Sequence, residues 1–252
     1  MDFYGKSDKG MKRKENQDVF ITCEPIEGML LLIVCDGMGG ASGGKVASEL
    51  CGESFAKVIN EKINGPDNEP QIRFAFDKSA IPDILRAGVN AANAAVYKKS
   101  NRSKKLAGMG TTLVAALIYG GTLYGVNVGD SRLYSVSGGE LRQLSHDDSY
   151  VQTLIDLGTL TPEQAKSNPH KNIITKAIGI NKNVDADIFS KELTDESYLL
   201  LCTDGLSNFV DEDRIVEIIE NRIEPMEICV SLVEEANANG GGDNVTLCVV
   251  RL

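Results

Sequence analysis

Four aspartates stand where short apolar runs begin or end: Asp18 closing Arg13-Lys14-Glu15-Asn16-Gln17-Asp18, Asp36 after Met29 to Cys35, Asp204 after Tyr198 to Thr203, and Asp243 before Val245 to Val250. Carboxylates gathered at strand ends, in a chain of 252 residues with only two histidines, point to a site for hard divalent cations. A strand end aims a side chain into a cleft while the sheet behind it keeps that side chain rigid. Gly37 and Gly205 directly follow two of the aspartates. A glycine there lets the main chain turn tightly, and at Gly37 it lets a carbonyl approach an ion as a backbone ligand. Two hard cations roughly 3.5 to 4 Å apart, bridged by a carboxylate and a water, generate a hydroxide near neutral pH and hold a phosphoryl oxygen for in-line attack. Taken singly, each aspartate is better explained as a turn or cap residue, and only their number argues for a shared site. Arg13 by itself reads as a solvated surface charge, but beside Asp18 its planar fork suits a bidentate grip on phosphate that lysine could not make. Asp130, in Val128-Gly129-Asp130-Ser131-Arg132, is either a structural hairpin carboxylate or an outer metal ligand, and spacing leaves both open. His146 and His170 fall in a polar stretch and in no metal-ligand pattern.

The formal net charge of −10 argues against a nucleic-acid binder and means that an anionic substrate is repelled unless cations sit in the site. Six dispersed cysteines without a CxxC pair indicate neither a disulfide framework nor a thiolate zinc site, so buried reduced thiols are expected. No apolar stretch follows the lysines of Met1 to Lys14, and Met29 to Cys35 is too short to span a bilayer, so a cytoplasmic protein is expected.

The elements that must position these residues are short apolar segments joined in pairs. Gly120-Gly121 links Thr112 to Tyr119 with Thr122 to Val128, and Gly138-Gly139 links Arg132 to Ser137 with Glu140 to Leu144, as in antiparallel hairpins. Helical spacing occupies Gly44 to Ile63, Asp77 to Ser100, Asp211 to Asn221 and Pro225 to Ala238, and these helices are expected on the outer faces of the sheets. Asn64 to Pro70 reads as a polar loop. No linker or repeat interrupts the chain, so one α+β layered domain over residues 1–252 is expected. His146 to Gly179 breaks the hairpin rhythm with a polar, partly helical insertion, a candidate flap.

Several segments together resemble the metal-dependent Ser/Thr protein phosphatases of the type 2C class, in their bacterial form. They are Ser7 to Gly10 leading into Arg13 to Asp18, Asp36 to Gly40, Gly108 to Thr112, Val128 to Arg132, Leu201 to Leu206 and Gly242 to Thr246. The resemblance runs nearly end to end. It implies a four-layer αββα sandwich, two central antiparallel sheets with helix pairs outside, and a metal centre at one end. It also implies two catalytic Mn2+ or Mg2+ ions, with Asp36 bridging them, Gly37 ligating through its carbonyl, and Asp204 with Asp243 completing the second site. Asp18 would act mainly through metal-bound water, Arg13 would clamp phosphate, and Asp130 with Asp204 would hold a third, weaker ion. A monomer that removes phosphate from serine and threonine of proteins, opposing a bacterial Ser/Thr kinase, is the implied activity. Gln17 stands where many members have glutamate, and Met38 where eukaryotic members place a histidine proposed as general acid. The leaving oxygen is therefore expected to take its proton from a metal-bound water.

Other chemistries fit less well. No cysteine has arginine six residues later, as a cysteine-dependent phosphatase requires, and Asp185-Ala186-Asp187 follows a polar stretch rather than a buried strand. Gly39 to Lys45 has the glycine and lysine spacing of a nucleotide phosphate loop, but Val46 takes the place of the magnesium-binding hydroxyl and Gly-Gly hairpins contradict a parallel sheet. A catalytically dead phosphoprotein-binding module should have lost metal aspartates, and none is missing.

Overall fold

The computed structural model describes residues 1–40, 43–65, 76–194 and 196–252. One sheet runs β1 (Asp2–Asp8), β12 (Val245–Arg251), β11 (Tyr198–Cys202), β8 (Arg132–Ser137), β9 (Glu140–Gln143). The other runs β10 (Asp187–Glu192), β7 (Thr122–Val128), β6 (Leu113–Tyr119), β3 (Met29–Cys35), β2 (Val19–Cys23). A two-residue pair, β4 (Gly37–Met38) with β5 (Gly110–Thr111), stands apart. The pairings among these strands are all antiparallel, which leaves no parallel sheet behind a nucleotide phosphate loop; of that loop, Ala41 and Ser42 lie outside the described residues.

Strand periodicity explains the layering. All seven residues of β3 are buried, and successive side chains point to opposite faces. Met29, Leu31, Ile33 and Cys35 join an outer core against the helices α1 (Gly43–Asn64) and α2 (Ile81–Arg102), while Leu30, Leu32 and Val34 join the core between the sheets. In β12, Val245, Leu247 and Val249 face α6 (Glu212–Glu220) and α7 (Pro225–Ala238), while Cys248 and Val250 face the opposite sheet. Each continuous apolar run therefore supplies two cores, and each fully buried Leu, Ile or Val contributes about 1.5–3 kcal/mol. The result is the four-layer αββα sandwich.

The Gly-Gly hairpins form as expected, with positive φ at both residues of each turn (54° and 75°; 55° and 81°), the backbone that a tight two-residue hairpin turn demands. The helix expected from Asp77 instead opens with a 3-10 turn, Lys78–Ala80, capped by the Asp77 side chain, and α2 proper starts with Pro82 in its first turn, where a missing N–H costs nothing. The expected polar loop lies outside the described residues from 66 onward. The insertion carries two short helices, α3 (Tyr150–Asp156) and α4 (Pro162–Lys166), and its ends are fastened by bridges between Ser149 and Ile174 and between Thr111 and Ile178. Of the six free thiols, five are buried as expected, whereas Cys23 on the edge strand β2 is only partly buried. Among the described residues no helix is long and apolar enough to cross a membrane.

Candidate active site

Strand ends from both sheets converge on a cleft of about 340 Å3 whose walls include Arg13, Asp36, Gly37, Asp130, Asp204 and Asp243. Asp36 leaves the end of β3, and its backbone is locked on both sides. Its N–H donates to Thr112 Oγ1 (2.9 Å), and its carbonyl accepts from Thr111 Oγ1 (2.8 Å) and Thr112 N–H (2.9 Å). Thr112 Oγ1 also lies 2.7 Å from Ser131 Oγ, which ties the Asp36 turn to the Asp130 turn. Asp204 opens α5 (Asp204–Ser207), a single helical turn rather than the plain strand end expected, because the chain after β11 winds immediately. Asn208 Nδ2 donates to its Oδ2 (2.9 Å).

Asp18 does not line the cleft. It lies behind the other carboxylates, where Thr203 Oγ1, itself receiving the Thr246 N–H (3.1 Å), donates to its Oδ2 (3.0 Å). The threonine oxygen accepts from the amide, and its one proton goes to the carboxylate in preference to the Thr246 carbonyl, which lies farther off at 3.4 Å.

Asn244, missed in the sequence reading, holds the Arg13–Asp18 loop. Its Nδ2 donates to the carbonyls of Lys9 (2.8 Å) and Glu15 (2.9 Å), its Oδ1 accepts from Gln17 N–H (2.9 Å), and its own N–H donates to Asp243 Oδ1 (2.8 Å). Arg13 is thereby brought over the cleft, where its Nη2 donates to Asp243 Oδ2 at 2.6 Å. The sequence signal for Asn244, Thr112, Thr203 and Thr246 was their place inside the segments that carry the resemblance, with no role attached.

Gly37 is wedged. A Cβ there would come within 2.2 Å of the Gly44 carbonyl oxygen and 2.5 Å of the Gln17 carbonyl oxygen, and a Cβ on Gly44 would come within 2.4 Å of both the Gly37 carbonyl oxygen and Gln17 Oε1. The start of α1 thus packs directly on the β4 turn, which only two facing glycines allow.

The electrostatics are those of crowded, desolvated carboxylates. Burial first, then like charge from Asp204 and Asp243, pushes Asp18 up to about 7 against the hydrogen bonds from Thr246 and Thr203. Burial with Asp204 and Asp147 pushes Asp130 to about 7. Asp36, open to the cleft yet ringed by protein, is raised well above the carboxylate range by burial and then by Asp18, Asp204 and Asp130, and Asp204 is raised by burial and Asp243. Arg132 offsets this only in part: its charge pulls Asp130 and Asp204 down, but its hydrogen bonds go to Asp147 (2.7 to 3.1 Å) and Tyr134.

Two observations show that these residues fit hard cations. Asp18 Oδ1 and Asp204 Oδ1 are buried without a hydrogen-bond partner, and the neighbouring carboxylates repel one another with Arg13 as the cation on the cleft wall. Among the described residues no three such side chains are already drawn around one point. Ions of the Mg2+ type keep several waters, take only one or two carboxylates each and accept backbone carbonyls as ligands.

Two antiparallel sheets packed face to face, with helix pairs outside and a carboxylate cleft at one end, define the architecture of a metal-dependent phosphatase. The profile of the family "Protein phosphatase 2C" matches residues 10–234. The chain is 38% identical over 247 residues to serine/threonine protein phosphatase PstP of Mycobacterium tuberculosis, covering 98% of this chain but 44% of that longer protein. It is 33% identical over 245 residues to serine/threonine phosphatase stp of Listeria monocytogenes, covering 97% of this chain and 93% of the relative. The crystal structure of the catalytic domain of PstP in complex with two manganese ions superposes with a TM-score of 0.80 at 35% identity, covering 98% of this chain and 96% of that one. The chain belongs to the protein phosphatase 2C family, in its bacterial serine/threonine branch.

Proposed function

We propose that this chain is a Mn2+- or Mg2+-dependent phosphatase that hydrolyses phosphoserine and phosphothreonine on proteins. The observation that carries the reading is the set of crowded carboxylates, with orphaned buried oxygens on Asp204 at the cleft and on Asp18 behind it, beside a cleft wall that Arg13 shares. Asp36, the Gly37 carbonyl, Asp204 and Asp243 would hold two ions, Asp18 would steady the shell from behind, and Asp130 with Asp204 would hold a third. When bound, such ions supply positive charge to the phosphoryl group and activate the attacking water.

The remaining tasks fall to the chain itself. Arg13 exchanges Asp243 for the phosphate oxygens, a bidentate grip that orients the ester. Asn244 keeps the Arg13 loop in register with Asp243. Thr203 and Thr112 fix the Asp18 carboxylate and the Asp36 backbone so that little reorganisation is needed on binding. The single domain carries residues 146–179 as a flap beside the cleft. Its substrates would be proteins phosphorylated by a bacterial Ser/Thr kinase.

The test is phosphate release from a phosphothreonine peptide with Mn2+, with chelator, and with Asp204→Asn, following ATP hydrolysis in parallel. Turnover that requires Mn2+ and falls at least about a hundredfold in the variant is expected. ATP hydrolysis without peptide turnover would contradict the reading.

A further inference from the structure

We propose that Asn172, on the flap, binds the main chain of the phosphopeptide beside the phosphorylated residue, an inference that rests on the phosphatase reading above. Asn172 and Ile174 form the flap's share of the cleft wall, which also includes Arg13 and the carboxylates. The Asn172 carboxamide makes no hydrogen bond among the described residues and is open to solvent. Of the other neutral side chains on the wall, Asn244 uses both amide protons and its oxygen to hold the Arg13 loop, and Thr112 Oγ1 lies between Asp36 N–H and Ser131 Oγ. Gln17 also makes no side-chain hydrogen bond among the described residues, but it is only partly exposed and its Oε1 packs close to Gly44, whereas Asn172 is open.

This stretch of flap is held in place by a ladder. Tyr150 N–H donates to the Ile173 carbonyl (2.8 Å), Ser149 bridges Ile174, and Thr175 N–H donates to the Asp148 carbonyl (2.7 Å). Asp148 in turn grips the residue before Asp130. Its N–H donates to the Gly129 carbonyl (2.8 Å), its Oδ2 accepts from Gly129 N–H (3.1 Å), and its Oδ1 pairs with Lys176 Nζ at 2.6 Å. Asn172 is therefore registered against the Asp130 turn.

A carboxamide carries two donors and an acceptor, the complement of a peptide group, and adds no charge where Arg13 and the cations must compete for phosphate. A main-chain contact asks for no particular neighbouring side chain, so it favours a peptide over a small ester without narrowing the sequence accepted.

The experiment compares a phosphothreonine peptide with p-nitrophenyl phosphate under Mn2+, for the unaltered protein and Asn172→Ala. The variant is expected to raise the peptide KM about tenfold, with a loss in kcat/KM on the peptide at least about fivefold larger than on the aryl phosphate. A peptide N-methylated on the residues flanking the phosphothreonine should be a poorer substrate for the unaltered protein and lose little more with Asn172→Ala. Equal losses on the two substrates, or an unchanged peptide KM, would overturn the proposal. Absence of Mn2+-dependent turnover of either substrate by the unaltered protein would instead sink the phosphatase reading beneath it.

Discussion

Thr203 shows how a residue that touches neither substrate nor solvent can govern the site. Its hydroxyl accepts from Thr246 and donates to Asp18, so Thr203→Val removes two buried partners at nearly constant shape. The loss should be about 1–3 kcal/mol of stability in the metal-free protein, because the Asp18 carboxylate loses its Thr203 donor and the Thr246 amide is left unpaired. Urea unfolding in chelator measures it, and Mn2+ titration should show weaker binding; an unchanged unfolding midpoint would mean water replaces the hydroxyl. Arg13 offers a second test at this scale. Its side chain is more than half exposed and leans on Asp243, so little stability hangs on it, but its fork should matter to phosphate. Arg13→Lys should raise the phosphopeptide KM about tenfold while leaving the melting temperature nearly unchanged. Steady-state kinetics on the two proteins decides, and an equal KM would remove Arg13 from phosphate binding.

The element that deserves a variant is the start of α1, where helix propensity and packing give opposite answers. Alanine in place of a helical glycine gains up to about 1 kcal/mol from propensity. At Gly44 the added methyl would meet the Gly37 carbonyl and the Gln17 side chain at 2.4 Å, and such overpacking costs about 1–3 kcal/mol. Packing should win, so Gly44→Ala is expected to destabilise the protein and to weaken Mn2+ binding, since the displaced atom is the proposed backbone ligand. Calorimetric titration with Mn2+ alongside chemical unfolding would show it. A stabilised variant with full affinity would mean that α1 slides freely on the β4 turn.

Across the whole molecule the crowded carboxylates set a pH dependence. Asp18 and Asp130 titrate near 7 in the folded, metal-free chain and near the ordinary 3.9 when unfolded. A carboxylate whose folded value is raised contributes stability below its unfolded value and loses it as pH rises through the folded one. Asp36 and Asp204 are shifted in the same direction, and the net charge of −10 adds repulsion. The melting temperature in chelator should therefore fall between pH 5.5 and 8, and Mn2+ should raise it more at pH 8 than at pH 5.5. Thermal melts across that window check both signs. A chelated protein that grows more stable toward pH 8 would show that other groups outweigh the cluster.

Much of this was legible in one dimension because it rests on local rules. Short apolar segments joined by Gly-Gly turns announced the hairpins, 3.6-residue spacing announced α1 and α7, and an aspartate beside a glycine at the end of an apolar run announced Asp36. Asp77 shows the limit of the same rules, since a cap and a proline five residues apart moved the start of α2 in a way periodicity does not register. The site required the third dimension. Asn244 is tied to Gln17, Glu15 and Lys9 across 227, 229 and 235 residues, and sheet order and register decide which distant residues meet. Asp18 ended behind the cleft rather than on its wall because it precedes an edge strand while Asp36 follows a central one. Asn172, an unremarkable polar residue in the sequence, reached the cleft only because the ladder from Asp148 to Thr175 folds the insertion back over it. The sequence by itself determined which residue types could bind cations and which elements would carry them. The packing of two sheets determined which of those residues share one cleft, because residue spacing encodes a side chain's face on its own element but not the element that will stand opposite.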